Sequence, residues 1–456
     1  MPFVQVSSEV RLHYEISYCE DNPAHRDSRP WLMIIHPLLM DSAFIANFTS
    51  QPVFKSTFNQ IIFDARHHGR SNTTDPKNVG SKALDLYSLA ADFAIGLQHL
   101  NIPAVHGLAT HSWASEVLLR MAAVFPFKLL SLCVCSLPPP KLEGFLERAF
   151  QECFESTANP ESVEEWDEGV SAVQWFNFGE PSLVDGDVLD EWASVLVRRY
   201  PPNRSVDCCM AVWPFLGACQ ASKPDNIPQN LMSQIKHPVL ALWGANDTIF
   251  TQAGCKERLD ELPFHERSTL KVMKDAPLLF CKTHPKETSK AYMKWVEPIL
   301  KMNGSNSNNI NNKSGRQKVP MEEEVDLDSK GEGRWKESLE KIASCRHDQA
   351  ILHRDPMQSD SYNRNSLEEI DALQQVLTNL KAHQVKTFSM LGGGAPEIWT
   401  DASFDEKVPW RFSSRFDEAR VIATGPTLHR SKNQCEVESI QIKKSVEVQY
   451  HDLIEL

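Results

Sequence analysis

The sequence predicts an α/β fold: a mostly parallel sheet with helices on both faces. Two observations carry that expectation. Short apolar runs, each ended by polar, Gly or Pro residues, recur through residues 1–303, as in parallel strands covered on both sides. Helix-patterned segments alternate with these runs, and that alternation implies a sheet wrapped by helices.

Taken in order, residues 3–6 and 10–17 read as an opening hairpin. Runs at 32–35, 60–63, 105–109, 129–135, 238–243 and 269–273 read as further strands, and 82–100, 113–125, 251–261 and 285–300 as helices. The alternation breaks between Pro138 and Ile235. That stretch holds helix-like segments at 142–155, 163–177 and 188–199, with Trp166, Trp175, Trp192 and Trp213 among them. It is expected to form a helical lid, about 138–235, over the carboxyl ends of the strands. Its tryptophans either line an apolar pocket or form the lid's own core.

After residue 303 the character changes. Residues 304–333 are rich in Asn, Ser, Gly and charge; they cannot bury a core and read as a low-complexity linker. Residues 334–456 read as a C-terminal extension of unassigned fold, partly helical and with segments open to disorder. Ser366 and Glu369 have capping-box spacing, and Leu367, Ile370, Leu373, Leu377 and Leu380 fall on one helical face. The segment 366–386 therefore either docks on the first domain or serves a protein partner or self-association. Gly392-Gly393-Gly394 has no following Lys-Ser/Thr pair and reads as a flexible turn. Residues 437–449 alternate like a strand.

Length and composition set the bounds. A chain of 456 residues exceeds one typical domain and suggests two. A net charge of -13 excludes binding to nucleic acid through its phosphates, which takes clustered Lys and Arg, and disfavours anionic membrane surfaces. No apolar run approaches the roughly 18 residues of a membrane span. The start of the chain has no basic stretch followed by an apolar one, so no signal peptide is expected. The eleven cysteines are scattered. Cys133 and Cys135 alternate and Cys208-Cys209 are adjacent, without metal-ligand spacing. They read as reduced thiols of a cytoplasmic protein that uses no metal, nucleotide or flavin cofactor.

The chemistry is carried by the stretch from Ala109 to Ser115, Ala-Thr-His-Ser-Trp-Ala-Ser. It lies between a strand-like run and a helix-like one. A sharp turn there, spelled G-x-S-x-G in its usual form, lifts a serine above the sheet end. Thr110 and Ala114 replace the two glycines. Three further features line up in order: His36-Pro37-Leu38 after the run ending at Ile35, Asp64-Ala65-Arg66-His67-His68-Gly69-Arg70-Ser71 after Phe63, and Gly244-Ala245-Asn246-Asp247 after Trp243. Together these resemble the α/β-hydrolase superfamily over residues 1–303. The spelling IHPLLMDSAF, with SLPPP after the serine's helix, is similar to a group of fungal members. The resemblance implies the α/β-hydrolase fold, with Ser112 as nucleophile, Asp247 as triad acid, and an oxyanion hole from the backbone N–H groups of Trp113 and Leu38. Pro37, in the family's glycine position, has no N–H, but the donor is the next residue. Asp64, Arg66 and Ser71 are expected to brace their loop, and His68 and His111 to lie near the site without serving in catalysis, a histidine beside such a serine pointing into the structure.

The family's triad histidine belongs to the loop after the last strand. In the related spelling that loop reads G-A-P-H, seven residues before a helix-opening proline. Counting back from Pro285 lands on Leu278, within Asp275-Ala276-Pro277-Leu278. His284 is six residues too far along and reads as a capping or surface residue. A serine hydroxyl is a poor nucleophile without a base. Two readings stay open. One is an enzyme: a hydrolase-like one acting on a small or medium organic ester through Ser112, with its base relocated to His284 or His68, or a relative that uses the pocket for acid/base work such as lyase or cyclisation chemistry. The other is a catalytically impaired pseudo-hydrolase that binds a ligand or, through its tail, a partner protein.

Overall fold

A computed structural model of the chain describes residues 2–363, apart from 9, 20–28, 72–84, 143, 159, 161, 203–206, 209, 213, 216–226, 264 and 312–326. Trp213, the segment 366–386, the glycine run at 392–394 and the strand-like stretch 437–449 lie outside the described residues.

Each expected strand forms. β1 (Phe3–Gln5) and β2 (Arg11–Ser17) make the antiparallel hairpin, with Val4 opposite Leu12. They are followed by β3 (Trp31–Ile35), β4 (Asn59–Phe63), helix α1 (Leu86–His99), β5 (Val105–Ala109), helix α2 (Ser112–Val124) and β6 (Leu129–Cys135). The longest helices described in the break in the alternation are α3 (Gly144–Ala158), α4 (Val163–Phe178) and α5 (Gly186–Arg199). The order closes with β7 (Val239–Gly244), α6 (Gln252–Asp260), β8 (Thr269–Met273), α7 (Pro285–Asn311) and α8 (Leu327–Arg346). Helix starts follow their caps. Asp85 accepts from the Ser88 N–H at 2.8 Å, Ser162 from Glu165 at 3.1 Å and Thr251 from Gly254 at 3.0 Å, satisfying donors with no partner in the first turn.

The eight strands form one sheet in the order β1-β2-β4-β3-β5-β6-β7-β8. β2 runs antiparallel to β4, and every pairing from β4 through β8 is parallel. Ile35 pairs with both Phe63 and Ala109, so His36, Asp64 and Thr110 emerge together at one edge. The chain winds outward from β3 to β4 and back past β3 to β5. Loops leaving a sheet at such a reversal diverge and open a crevice at the carboxyl ends of the strands.

Alternation along each strand feeds two cores. Met33 and Ile35 face α1, α2 and α6, whereas Leu32 and Ile34 face α7 and the inserted helices. The C-terminal side of the chain adds to the first core. Trp335, Leu339, Ile342 and Ala343 of α8, with Ile351 and Tyr362 after it, are buried there. Trp335 and Tyr362 pack on Phe125 with ring centroids 5.3 and 4.9 Å apart. Residues 334–363 are thus packed into the same core as residues 86–125. α7 runs past 300 to Asn311 and α8 begins at Leu327, so helix enters the Asn- and charge-rich stretch from both ends. No helix among the described residues is long and apolar enough to cross a membrane.

Candidate active site

The start of α2 is pinned from both sides. Thr110 donates from its backbone N–H and its hydroxyl to the Ile35 carbonyl, at 3.1 and 2.7 Å. The Ser115 hydroxyl donates to the Cys135 carbonyl at 2.8 Å and accepts from the Cys135 N–H at 3.0 Å. Between these anchors Ser112 is the first helical residue and His111 the cap. The described non-glycine residues with left-handed backbone are Leu39, His67, Asn101, Ser136, Asp275 and His347, and Ser112 is not one of them. Thr110 and Ala114 each carry a Cβ where the usual spelling of the turn has glycine.

His111 faces the cavity at Ser112. Its Nδ1 accepts the Trp113 backbone N–H at 3.2 Å and lies 3.2 Å from Ser112 Oγ. Its Nε2 lies 3.0 Å from Asn177 Oδ1, on α4. A backbone N–H can only donate, so Nδ1 is unprotonated and the ring proton sits on Nε2, directed at Asn177. The Ser112 hydroxyl then donates to Nδ1. Burial pushes the imidazole down to about 4; the Asn177 hydrogen bond opposes that and nearby His36 adds to it. The ring is neutral at pH 7. Asn177 is itself fixed: its Nδ2 donates to the Val173 carbonyl at 2.8 Å, and its carbonyl accepts the Leu279 N–H at 3.0 Å.

Asp247 lies just past β7. Its Oδ1 accepts the Ile249 and Phe250 N–H groups, both at 2.9 Å, while Oδ2 is buried without a hydrogen-bond partner. Burial pushes the carboxyl up to about 6, against the pull of the Phe250 and Ile249 N–H groups and the nearby Ser136 hydroxyl. That hydroxyl donates to the Leu278 carbonyl at 3.2 Å. The loop after β8 is held against β7: the Asn246 N–H donates to the Ala276 carbonyl at 2.9 Å. A Cβ on Gly244 would strike the Ala276 and Pro277 carbonyl oxygens, so only glycine admits so close an approach. Leu278 therefore reaches the Ser112 cavity, where it packs with Leu142, Ile249 and Phe250.

The other sequence candidates fall around this centre. Leu38 and Leu39 line the cavity. His36 accepts the Ala65 N–H on Nε2 at 2.9 Å and bonds the Pro37 carbonyl through Nδ1 at 2.7 Å, fixing the loop that carries Leu38. Asp64 accepts from the Ser42 and Arg70 N–H groups and from His13. Burial alone would raise its carboxyl, but these bonds and His36 hold it well below the usual range. Arg66 pairs with Asp92 through two nitrogens and also with Asp360 and Ser359. His68 packs at a tilt against Trp113, centroids 5.2 Å apart. His284 ends a short helix at Phe280–Thr283 and bonds the Thr283 hydroxyl at 2.8 Å. Neither His68 nor His284 is among the residues lining the cavity. Trp166 and Trp192 are buried among the inserted helices and Trp175 is exposed. The aromatic residues at the cavity are Phe150, Phe176, Phe215 and Phe250.

The cavity has a volume of about 70 Å³, well below the roughly 300–1,000 Å³ of pockets for drug-sized ligands. Its polar lining is His111, Ser112, Thr157, Asn177 and Cys153, and burial pushes the Cys153 thiol up to about 12. Among the described residues no carboxylate, lysine or arginine lines it. No group of three or more His, Cys, Asp or Glu able to hold a metal occurs among the described residues.

No family model matches the chain, and no curated protein matches it. Solved structures do. The enol-lactonase from Burkholderia xenovorans LB400 is 16% identical, covering 65% of this chain and 100% of its own, with a TM-score of 0.50. A thermophilic esterase from Thermogutta terrifontis is 17% identical over 66% and 99%, TM-score 0.51. MGS-M2, an alpha/beta hydrolase enzyme from a Medee basin deep-sea metagenome library, is 14% identical over 65% and 97%, TM-score 0.52. At these identities the likeness is one of fold. Sheet order, the helix rising from β5 and these neighbours agree: the chain has the α/β-hydrolase fold.

Proposed function

We propose that the chain is a hydrolase-like enzyme that cleaves a small, uncharged ester-type bond through Ser112, with a degenerate triad. One observation carries the reading: Ser112 opens onto a partly open, largely apolar cavity at the carboxyl ends of the strands, lined also by residues of α3 and α4. The neutral lining favours an uncharged acyl group, and the volume favours a short one. Esterase and lactonase, the activities named for two structural neighbours, both cleave an ester bond. Leu38 and Trp113 stand as the oxyanion donors and Asp247 as the remnant of the triad acid. In well-studied serine hydrolases, losing the histidine costs on the order of 10⁶ in turnover and leaves about 10³–10⁴ over water. Slow turnover of short p-nitrophenyl esters, falling off with acyl length and abolished in Ser112→Ala, is the expected result. Full activity in that variant would rule out serine catalysis.

A second reading has its own observation. Leu278 fills the histidine position with apolar contacts and Asp247 Oδ2 is left without a partner, as in a pseudo-hydrolase that keeps the pocket as a ligand site. Under that reading the folded wild type shows no turnover above Ser112→Ala, and small apolar ligands raise its Tm.

A further inference from the structure

We propose that His111 is the general base for Ser112, with Asn177 as its positioning residue, in place of the absent histidine after β8. The proposal rests on the reading of Ser112 as nucleophile and names the group that activates it. Three observations meet in one place. His111 Nδ1 lies 3.2 Å from Ser112 Oγ, within reach for a base in an unliganded site. The ring nitrogen on the far side is held by Asn177 Oδ1 at 3.0 Å, so its proton stays on Nε2 and the Nδ1 lone pair faces the serine. His111, Ser112 and Asn177 all line the same cavity, whereas His68 and His284 do not.

The step balances without a further reactant beyond water. Ser112 Oγ attacks the ester carbonyl carbon and its proton passes to His111 Nδ1. The carbonyl π pair moves to oxygen. As the tetrahedral species collapses, the C–O bond to the leaving alcohol breaks and that oxygen takes the proton from Nδ1. Water then attacks the acyl carbon, gives its proton to Nδ1, and the Oγ–C bond breaks as Ser112 recovers the proton. The geometry adds a coupling. In the resting site Nδ1 also holds the Trp113 N–H, at 3.2 Å. Once protonated, Nδ1 can no longer accept, so the Trp113 N–H is released as negative charge develops on the substrate oxygen. Its acceptor then becomes the oxyanion, where preorganised donors contribute most.

The base is weak. Burial depresses His111, and the Asn177 amide supplies a dipole where a triad supplies a carboxylate. The ionisable groups around the ring are His36 after β3, His68 beside Trp113, Cys153 on α3, and Asp247 behind Leu278, Ile249 and Phe250. Burial lowers both histidines and raises the thiol.

The test compares the rate of fluorophosphonate labelling and of p-nitrophenyl acetate turnover in wild type, Ser112→Ala, His111→Asn and Asn177→Asp, each checked for folding by circular dichroism. Asparagine retains a capping side chain at position 111, which separates base loss from helix fraying. A general base contributes roughly 10²–10⁴-fold, so His111→Asn is expected to slow both rates at least about 100-fold. Asn177→Asp is expected to speed turnover and move the acid limb of kcat/KM to higher pH, because a carboxylate stabilises the imidazolium; a residue that only holds the lid would leave that limb in place. Equal labelling of Ser112 in wild type and folded His111→Asn would overturn the role of His111 while Ser112 remained the nucleophile. An unmoved acid limb in Asn177→Asp would overturn the positioning role. Absence of labelling in folded wild type would overturn the reading of Ser112 and this inference with it.

Discussion

Two residues divide the site between what the sequence exposes and what it hides. Leu278 is placed at the family's histidine position by the sequence alone, from its distance to Pro285 and the Ala-Pro spelling of the loop, and the structure puts it at the Ser112 cavity. His111 is not legible in the sequence, because its place beside a serine says nothing about where the ring points; that is decided by Asn177, on another helix. The two give opposite predictions for the same serine. Leu278→His puts an imidazole beside the unpartnered Asp247 Oδ2 and is expected to raise ester turnover by tenfold or more; an unchanged rate would show that position 278 does not address Ser112. Asp247 also predicts a pH effect on stability. Its folded-state value, about 6, stands above the ordinary 3.8, so the folded state binds a proton that the unfolded state has released. Stability is therefore lost as pH rises between those values and stays lower above pH 6. Asp247→Asn removes that penalty. Relative to wild type it is expected to gain stability between pH 4 and pH 7, by at most about 3 kcal/mol from about 1.4 kcal/mol per unit. Urea unfolding at the two pH values measures it, and a pH-independent difference would contradict it.

At the level of elements, the strands and the helices between them were readable because each obeys one period: apolar runs for strands buried on both faces, 3.6-residue spacing for helices. The hydrogen bonds that pin the start of α2, from Thr110 to Ile35 and between Ser115 and Cys135, were not readable, since they join α2 to different strands of the folded sheet. Nor was the docking of α8 read from the sequence. Trp335, Leu339, Ile342 and Ala343 have helical spacing, but they follow a charged, Asn-rich stretch and their complement, Phe125 and Phe127, lies some two hundred residues earlier. Their burial predicts that Trp335→Ala costs about 3–5 kcal/mol, the usual range for emptying a buried aromatic site, read as a lowered urea midpoint. Arg66, buried against Asp92 and Asp360, joins this segment to the loop after β4. Arg66→Met leaves Asp92 without its partner in the core and is expected to cost about 3–5 kcal/mol. A loss below 1 kcal/mol for either variant would mean that the segment is not anchored as described.

Across the whole molecule, one sheet holds the site and two cores hold the sheet. The first core includes residues 334–363, so a chain ended before α8 would expose Phe125 and Phe127 and is expected to lose stability and solubility; a chain ended after Asn363 retains every packing contact described here. The site itself lies between bodies that both cores support: β5 and α2 below, α3 and α4 above, and the loops after β3 and β8 at the sides. Arg199 of α5 pairs with Asp41 beyond β3, and Tyr200 donates to the His67 carbonyl at 2.8 Å, tying the inserted helices down over the cavity. Long substrates are thus expected to require those helices to shift, and short ones to enter without doing so. The central claim is that Ser112, without the usual histidine, is still an activated nucleophile. Peptide mass mapping after fluorophosphonate treatment tests it most directly. A single adduct on the Ser112 peptide, absent from Ser112→Ala, is the predicted result; a folded wild type with no adduct, or with one that survives the substitution, would contradict it.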